Sequence, residues 1–252
     1  MRILVSNDDG RNAPGLEVLE QIAGQLSDDV WVVAPETEQS GASHSISLSD
    51  PLRLHEHSAR RYSVQGSPAD CVLMAVRKIM PDVPDLLLSG VNRGQNIADD
   101  VTYSGTIAAA MEGTALGIKS MALSQSYGIE SGKELRWDVG RDHGADIVER
   151  LMPLDLGPGV LLNINFPDCM PEEVTGIAVT RQGKRDQNML IVDERVDARG
   201  RNYYWLGFRR EMSKPADGTD LKAVYSRQIS VTPLHMNLTQ IEAMEALRAA
   251  LD

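Results

Sequence analysis

The residues of this chain best suited to chemistry are oxygen donors. Asp8 and Asp9 stand side by side after the apolar run Ile3, Leu4, Val5 and Ser6, and Gly10 follows them. Adjacent carboxylates repel, and each raises the other's proton affinity unless a positive charge neutralises the pair. A hard divalent cation such as Mg²⁺ or Mn²⁺ does this with oxygen ligands at about 2.0–2.6 Å. The plainer alternative is that an acid here caps a helix or closes a turn. Gly10 and Pro14-Gly15 make that credible for one of the two, but hardly for both. A hydroxyl (Ser40) and an amide oxygen (Asn92) would complete a hard site, with water in the open positions.

A second constellation suits anions. Ser104, Gly105 and Thr106 precede the run from Ile107 to Met111, so they offer free N–H groups, the positive end of a helix dipole and two hydroxyls. A plain helix cap is the competing reading. Ser40-Gly41-Ala42-Ser43 could wrap a phosphate or be an ordinary flexible loop. A cation beside a helix N-terminus suits a phosphate ester, because the metal acidifies a bound water and polarises the phosphoryl oxygen. His44 could serve as general acid or hold the phosphate, and a loop-packing histidine accounts for it equally well. Arg93 is better explained as a solvated loop arginine. His55, His57, His143 and His235 show no ligand spacing, and no role is assigned to them.

These donors need a frame to bring them together. Ile3 to Ser6 reads as a buried strand, and Leu16, Leu19, Ile22, Ala23 and Leu26 fall at helical spacing. Val30 to Pro35 is a second strand, which makes a βαβ unit with parallel pairing. Ser67 caps a helix with Pro68 at its first position and Val72, Leu73, Val76 and Ile79 on its apolar face. Asp85 to Gly90, Ser120 to Ser124 and Val160 to Phe166 read as strands, and Val139 to Leu151 as a helix. In a parallel sheet the loops after these strands share one edge, where open α/β sheets bind ligands. Beyond about Pro171, Ile177–Thr180 and Tyr203–Leu206 are short β-type runs on either side of a polar, charged stretch, Arg181 to Asn202. They suggest hairpins projecting from the main sheet. Ile229 to Leu234 is strand-like, and a helix from about Gln240 to Leu251 follows, capped by Thr239. The expected fold is α/β: a Rossmann-like, mostly parallel sheet with helices on both faces. It forms one domain over 1–252, with a core of about 1–170 and a hairpin-and-helix appendage of about 171–252.

Composition narrows the function. With 252 residues, 42% hydrophobic and 24% charged, the chain has length enough for a substantial core and the make-up of a soluble globular protein. A net charge of -11 argues against long nucleic acid, which needs a basic footprint, and 4% aromatic content argues against a base-stacking platform. No stretch approaches the roughly 20 apolar residues of a membrane span, and the start lacks the apolar core of a signal peptide. Cys71 and Cys169 lie far apart, as reduced thiols in a cytoplasmic protein would.

Five ordered motifs carry a resemblance. They are Asn7-Asp8-Asp9-Gly10 with Ala13-Pro14-Gly15, Ala34-Pro35 with the run from Gln39 to Ser47, Gly66 to Cys71, Ser89 to Asn96, and Tyr103 to Ala110. Together with Gly218-Thr219-Asp220 and Ser230 to Leu234, they closely resemble the SurE family of survival-protein nucleotidases over nearly the whole chain. Arg181 to Arg210 matches least. The resemblance implies a divalent-metal-dependent phosphatase acting on nucleoside 5′- and 3′-monophosphates. It implies one Mg²⁺ or Mn²⁺ per subunit on Asp8, Asp9, Ser40 and Asn92, with the two aspartates catalytic. It implies a phosphate held by Asn96, Ser104, Gly105 and Thr106, and homodimers, in some cases homotetramers, built by exchange of C-terminal elements.

No motif residue is an obvious covalent nucleophile and the Asp-x-Asp spacing of an aspartyl-phosphate enzyme is absent, so direct attack by metal-activated water is expected. Three rivals remain. A receiver-like signalling domain would need an aspartate where Leu88-Ser89-Gly90 ends its strand. A non-catalytic nucleotide or metal sensor would use the same site without turnover. A phosphoesterase for polyphosphate or sugar phosphates would differ only in its leaving group.

Overall fold

Branched aliphatic runs buried on both faces form the middle of the sheet, as parallel strands covered by helices require. In the computed structural model, which describes residues 1–128, 131, 134–185, 190–208 and 214–251, β1 (Arg2–Ser6) lies parallel between β2 (Asp29–Pro35) and β5 (Leu86–Arg93). Outward from β2 come β4 (Arg61–Val64) and β3 (Leu54–Ser58). Outward from β5 come β6 (Lys119–Gln125), β7 (Val160–Phe166), β11 (Gln228–His235) and β8 (Gly176–Val179). The order β3-β4-β2-β1-β5-β6-β7-β11-β8 is parallel throughout except at the β3–β4 and β7–β11 pairs.

Alternation along each strand sorts the core into two layers. Ile3, Val5, Leu86 and Leu88 face one side, against α1 (Pro14–Leu26) and α4 (Asp138–Leu151). Leu4, Leu87 and Ala122 face the other, against α2 (Pro68–Met74) and α3 (Gly105–Ala115). The chain leaves β1 for β2 on one side of the sheet and later reaches β5 on the other. The crevice between the carboxyl ends of β1 and β5 is therefore the switch point at which such sheets take ligands.

The mostly parallel sheet with helices on both faces agrees with the sequence, and five details differ. The expected helix from Ser67 to Ile79 is α-helical only to Met74, with a wider π turn over Ala75–Ile79. Strands β3 and β4 lie outside the sequence expectation: β3 (Leu-His-Glu-His-Ser) is exposed along its whole length and lacks apolar alternation, and β4 (Arg-Tyr-Ser-Val) is only four residues long. β8 joins the edge of the main sheet instead of a projecting hairpin. The hairpin that does project pairs β9 (Leu190–Val196) with β10 (Asn202–Phe208), and β9 lies inside the stretch read as polar. Finally, beyond the short α5 (Asp220–Tyr225), α6 (Ile241–Leu251) begins with the Gln240 side chain accepting from Ala243 N–H at 3.1 Å, so Gln240 caps it and not Thr239.

Candidate active site

The register Ser6↔Ser89 sets the ends of β1 and β5 side by side, so the turns that follow bring Asp8 and Asp9 to Asn92 and Arg93. The Arg93 backbone N–H donates to Asp9 Oδ2 at 3.0 Å. Asn92 donates from Nδ2 to the Gly94 carbonyl at 2.8 Å, and its Oδ1 accepts no hydrogen bond from the described residues. The loop after β2 reaches the same place: Gln39 N–H donates to the Asp8 carbonyl at 2.7 Å, with Ser40 next in the chain. All four residues expected as a cation's ligands, Asp8, Asp9, Ser40 and Asn92, thus belong to one cluster of loops.

The start of α3 closes this cluster from the opposite layer. Thr106 donates its hydroxyl to Asp8 Oδ1, while Ser104 caps the helix by accepting from Ile107 N–H at 3.1 Å. Gly105 permits the approach. A Cβ there would lie 2.7 Å from Asp8 Cβ and 2.9 Å from Asp8 Oδ2, distances at which a side chain does not fit. The first N–H groups of a helix have no acceptor within it, so this terminus presents donors toward the acidic pair. Asn96 lies nearby and is buried, with its Nδ2 donating to Ser124 Oγ at 2.9 Å. Thr106 is fully buried against Asp8, so its hydroxyl already has an acceptor.

The electrostatics follow from this crowding. Burial pushes the Asp8 carboxyl up to about 7, with the Thr106 hydroxyl opposing the shift and Asp9 adding to it. Burial also raises Asp9, against the Arg93 amide and together with the nearby charge of Glu38. Glu38 is a third carboxylate that sequence reasoning passed over; it accepts from the Ser40 hydroxyl at 2.9 Å. Its signal was its place two residues before Ser40. Neither Asp8 nor Asp9 forms an ion pair with Lys, Arg or His among the described residues. The buried oxygens Ser6 Oγ, Ser89 Oγ and Asn7 Oδ1 beside them find no hydrogen-bond partner among the described residues. A buried Asp8 beside a half-buried Asp9, with hard-oxygen neighbours and no ion-paired base among the described residues, fits a divalent cation. No three His, Cys, Asp or Glu side chains stand in a metal-holding group among the described residues. A cation here would therefore depend on the hydroxyl and amide oxygens.

His44 and Arg93 lie differently. His44 Nε2 pairs with Glu112 Oε2 at 2.9 Å, and Glu112 follows Gly105 by seven residues, about 10 Å along the helix. That is the loop-packing arrangement: His44 fastens the Ser40 loop to α3, and Ser43 fastens it to the segment just before α3 through the Thr102 carbonyl. Arg93 is exposed, with its guanidinium 5.8 Å from the Tyr127 ring centre.

The fold and this site together define a doubly wound α/β protein with an oxygen-donor cluster and a helix start meeting at the switch point. Comparison with known proteins narrows the class. A family model described as Survival protein SurE matches residues 3–189. The chain is 60% identical over its full length to a Parvibaculum lavamentivorans protein named 5′-nucleotidase SurE, and covers 91% of it. It is 59% identical, over 95% of its length and 94% of the relative, to the protein of the same name from Methylobacterium radiotolerans. Among solved structures, the SurE protein of Aquifex aeolicus superposes with a TM-score of 0.86 at 37% identity, each chain covered in full. This chain belongs to the SurE family.

Proposed function

We propose that the protein is a phosphomonoesterase that hydrolyses nucleoside 5′-monophosphates, and 3′-monophosphates as well, with the help of a divalent cation. The activity follows the name borne by relatives about 60% identical over the whole chain. The observation that carries the chemistry is the buried Asp8 beside the half-buried Asp9, neither ion-paired with a basic side chain among the described residues, against the start of α3. Asp8, Asp9, Ser40 and Asn92 would hold one Mg²⁺ or Mn²⁺ per subunit. Such an ion supplies charge neutralisation at the phosphate and acidifies water at neutral pH.

The chain's own residues do the rest. The α3 terminus at Ser104, Gly105 and Thr106 presents N–H donors to phosphate oxygens, and Asn96 adds its amide. Glu38 orients the Ser40 hydroxyl so that its lone pairs face away from the Glu38 carboxylate. Asp8 and Asp9 act as the catalytic carboxylates by holding the reacting centre against these donors. Cys71 and Cys169 are buried, which suits a reducing cytoplasm, and no helix of the described residues is long and apolar enough to cross a membrane.

The hairpin and the last helix suggest self-assembly. Trp205 is 60% exposed and Leu206 76%, and α6 exposes Ile241, Leu247 and Leu251. Apolar side chains displayed this way mark contact surfaces. A homodimer, or a homotetramer, that exchanges these elements would cover them around the single domain.

The deciding experiment measures phosphate released from 5′-AMP, 3′-AMP and p-nitrophenyl phosphate with Mn²⁺ or Mg²⁺, then with EDTA. Release that needs metal and is strongest on the nucleotides is expected. No release from any of them would overturn the reading.

A further inference from the structure

Asn96 is held from behind by a buried polar scaffold that the chemistry above leaves unused. Its N–H donates to Asn165 Oδ1 at 2.8 Å, and its carbonyl accepts from Asn163 Nδ2 at 2.7 Å and Asn165 Nδ2 at 3.2 Å. Asn165 Nδ2 also donates to Asn163 Oδ1 at 3.0 Å. Both asparagines alternate on β7 with Leu162 and Ile164 and are completely buried. Two residues beyond Asn96, Ala98 takes a positive φ of 54°, which a residue with a side chain rarely adopts. Its N–H donates to Asp220 Oδ2 at 2.8 Å, and its carbonyl accepts from Gln182 Nε2 at 2.9 Å. The other oxygen of Asp220, also fully buried, accepts from Gly183 and Leu221 N–H at 2.9 and 2.7 Å. Arg185 completes the clasp, pairing with Asp100 and donating its N–H to Asp99 at 2.9 Å.

Buried amides and carboxylates cost free energy even when their bonds are satisfied, and apolar residues would fill the same volume more cheaply. A fully bonded polar network has a different use: it admits one geometry and excludes its neighbours. The bonds to Asn96 and Ala98 end on their backbone N–H and carbonyl groups, and the remaining bonds brace the side chains and segments that make them. We propose that Asn165 and Asp220 are positioning residues that fix the Asn96–Ala98 backbone, and through it the Asn96 side chain, against the substrate's phosphate. The Gly218-Thr219-Asp220 motif thereby reaches the site from the far end of the chain. The proposal rests on the reading of Asn96 as a phosphate holder.

The test uses the full-length protein with Asn165→Asp, which keeps the accepting oxygen and loses both amide donors, and Asp220→Asn. KM for 5′-AMP and inhibition by inorganic phosphate are measured beside Mn²⁺ affinity by calorimetry and the thermal midpoint. KM and the phosphate inhibition constant should rise about tenfold, within what a small misplacement of a binding group costs, while Mn²⁺ affinity stays within about twofold. Unchanged KM and phosphate inhibition would overturn the proposal, as would a parallel loss of Mn²⁺ affinity. If either variant fails to fold, Gln182→Ala removes only an exposed side chain's bond to Ala98 and should raise KM in the same direction; an unchanged KM there would overturn the proposal too. Asn96→Ala separates the two readings: if it leaves phosphate inhibition unaltered, Asn96 is not the phosphate holder. If it weakens inhibition while Asn165→Asp and Asp220→Asn do not, only the positioning role fails.

Discussion

Thr106 and Asp8 lie 98 positions apart in the chain and share one buried hydrogen bond, hydroxyl to carboxylate, across the junction of β1 with the start of α3. The bond ties the acidic pair to the helix terminus, so the part of the site suited to a cation and the part suited to an anion move as one body.

Asp8→Asn should abolish metal-dependent phosphate release, by more than about 100-fold, since even outer-sphere partners of a metal cost 10–100-fold. The fold should survive, because the change removes a desolvated charge from a buried site. We expect an unfolding midpoint without metal equal to or above that of the parent, and no upward shift when Mn²⁺ is added. A metal-dependent shift of parental size in this variant would contradict the assignment of Asp8 as a ligand.

Gly105→Ala tests the close approach. The added Cβ would lie 2.7 Å from Asp8 Cβ and 3.1 Å from Pro68 Cγ, so α3 must retreat or Asp8 must turn. A stability loss of about 1–3 kcal/mol, usual for an overpacked site, should accompany a fall in kcat/KM. Denaturant melts and steady-state kinetics check the two together, and full activity in the variant would show that the approach is not needed.

Glu36 supplies a pH dependence away from the acidic pair. The Ser63 hydroxyl, then His55 and Arg11, hold its carboxyl below the usual glutamate value, against a smaller opposing effect of burial. A depressed carboxylate stabilises the fold above its unfolded-state pKa of about 4.3 and loses that contribution as pH falls through the folded value. Glu36→Gln should therefore melt below the parent at pH 7, and the two should converge under acid. A gap of constant size across that range in thermal melts would refute the linkage.

Truncation after Asn237 tests assembly. Strand β11 must remain, because Ile229, Ser230 and Val231 are buried between β7 and β8; a cut at Ser230 would open the sheet itself. Losing only α6 should lower the mass seen by light scattering while the far-ultraviolet dichroism per residue stays close to the parent's. An unchanged mass would remove α6 from the interface.

Much of this protein is decided locally. The apolar runs of β1, β2, β5, β6 and β7 exceed what a half-exposed strand needs, and Ser67-Pro68 and Ser104 start helices by chemistry confined to one turn. The acidic pair, the Ser40 loop, Asn92 and the α3 terminus were legible for the same reason, since loops after parallel strands share an edge. Other features depend on partners remote in sequence. β3 has no apolar pattern and exists because β4 offers it an edge. β9 (Leu-Ile-Val-Asp-Glu-Arg-Val) lies within a stretch read as polar and charged, and is a strand paired with β10. The pairing of Glu38 with Ser40, the capture of His44 by Glu112, and the seat that Asn163, Asn165 and Asp220 make for the backbone of Asn96 and Ala98 are contacts made by side chains, and in the last two cases the partners lie tens of residues apart. Residue types reveal which groups can donate and accept; only the packed sheet determines which of them meet.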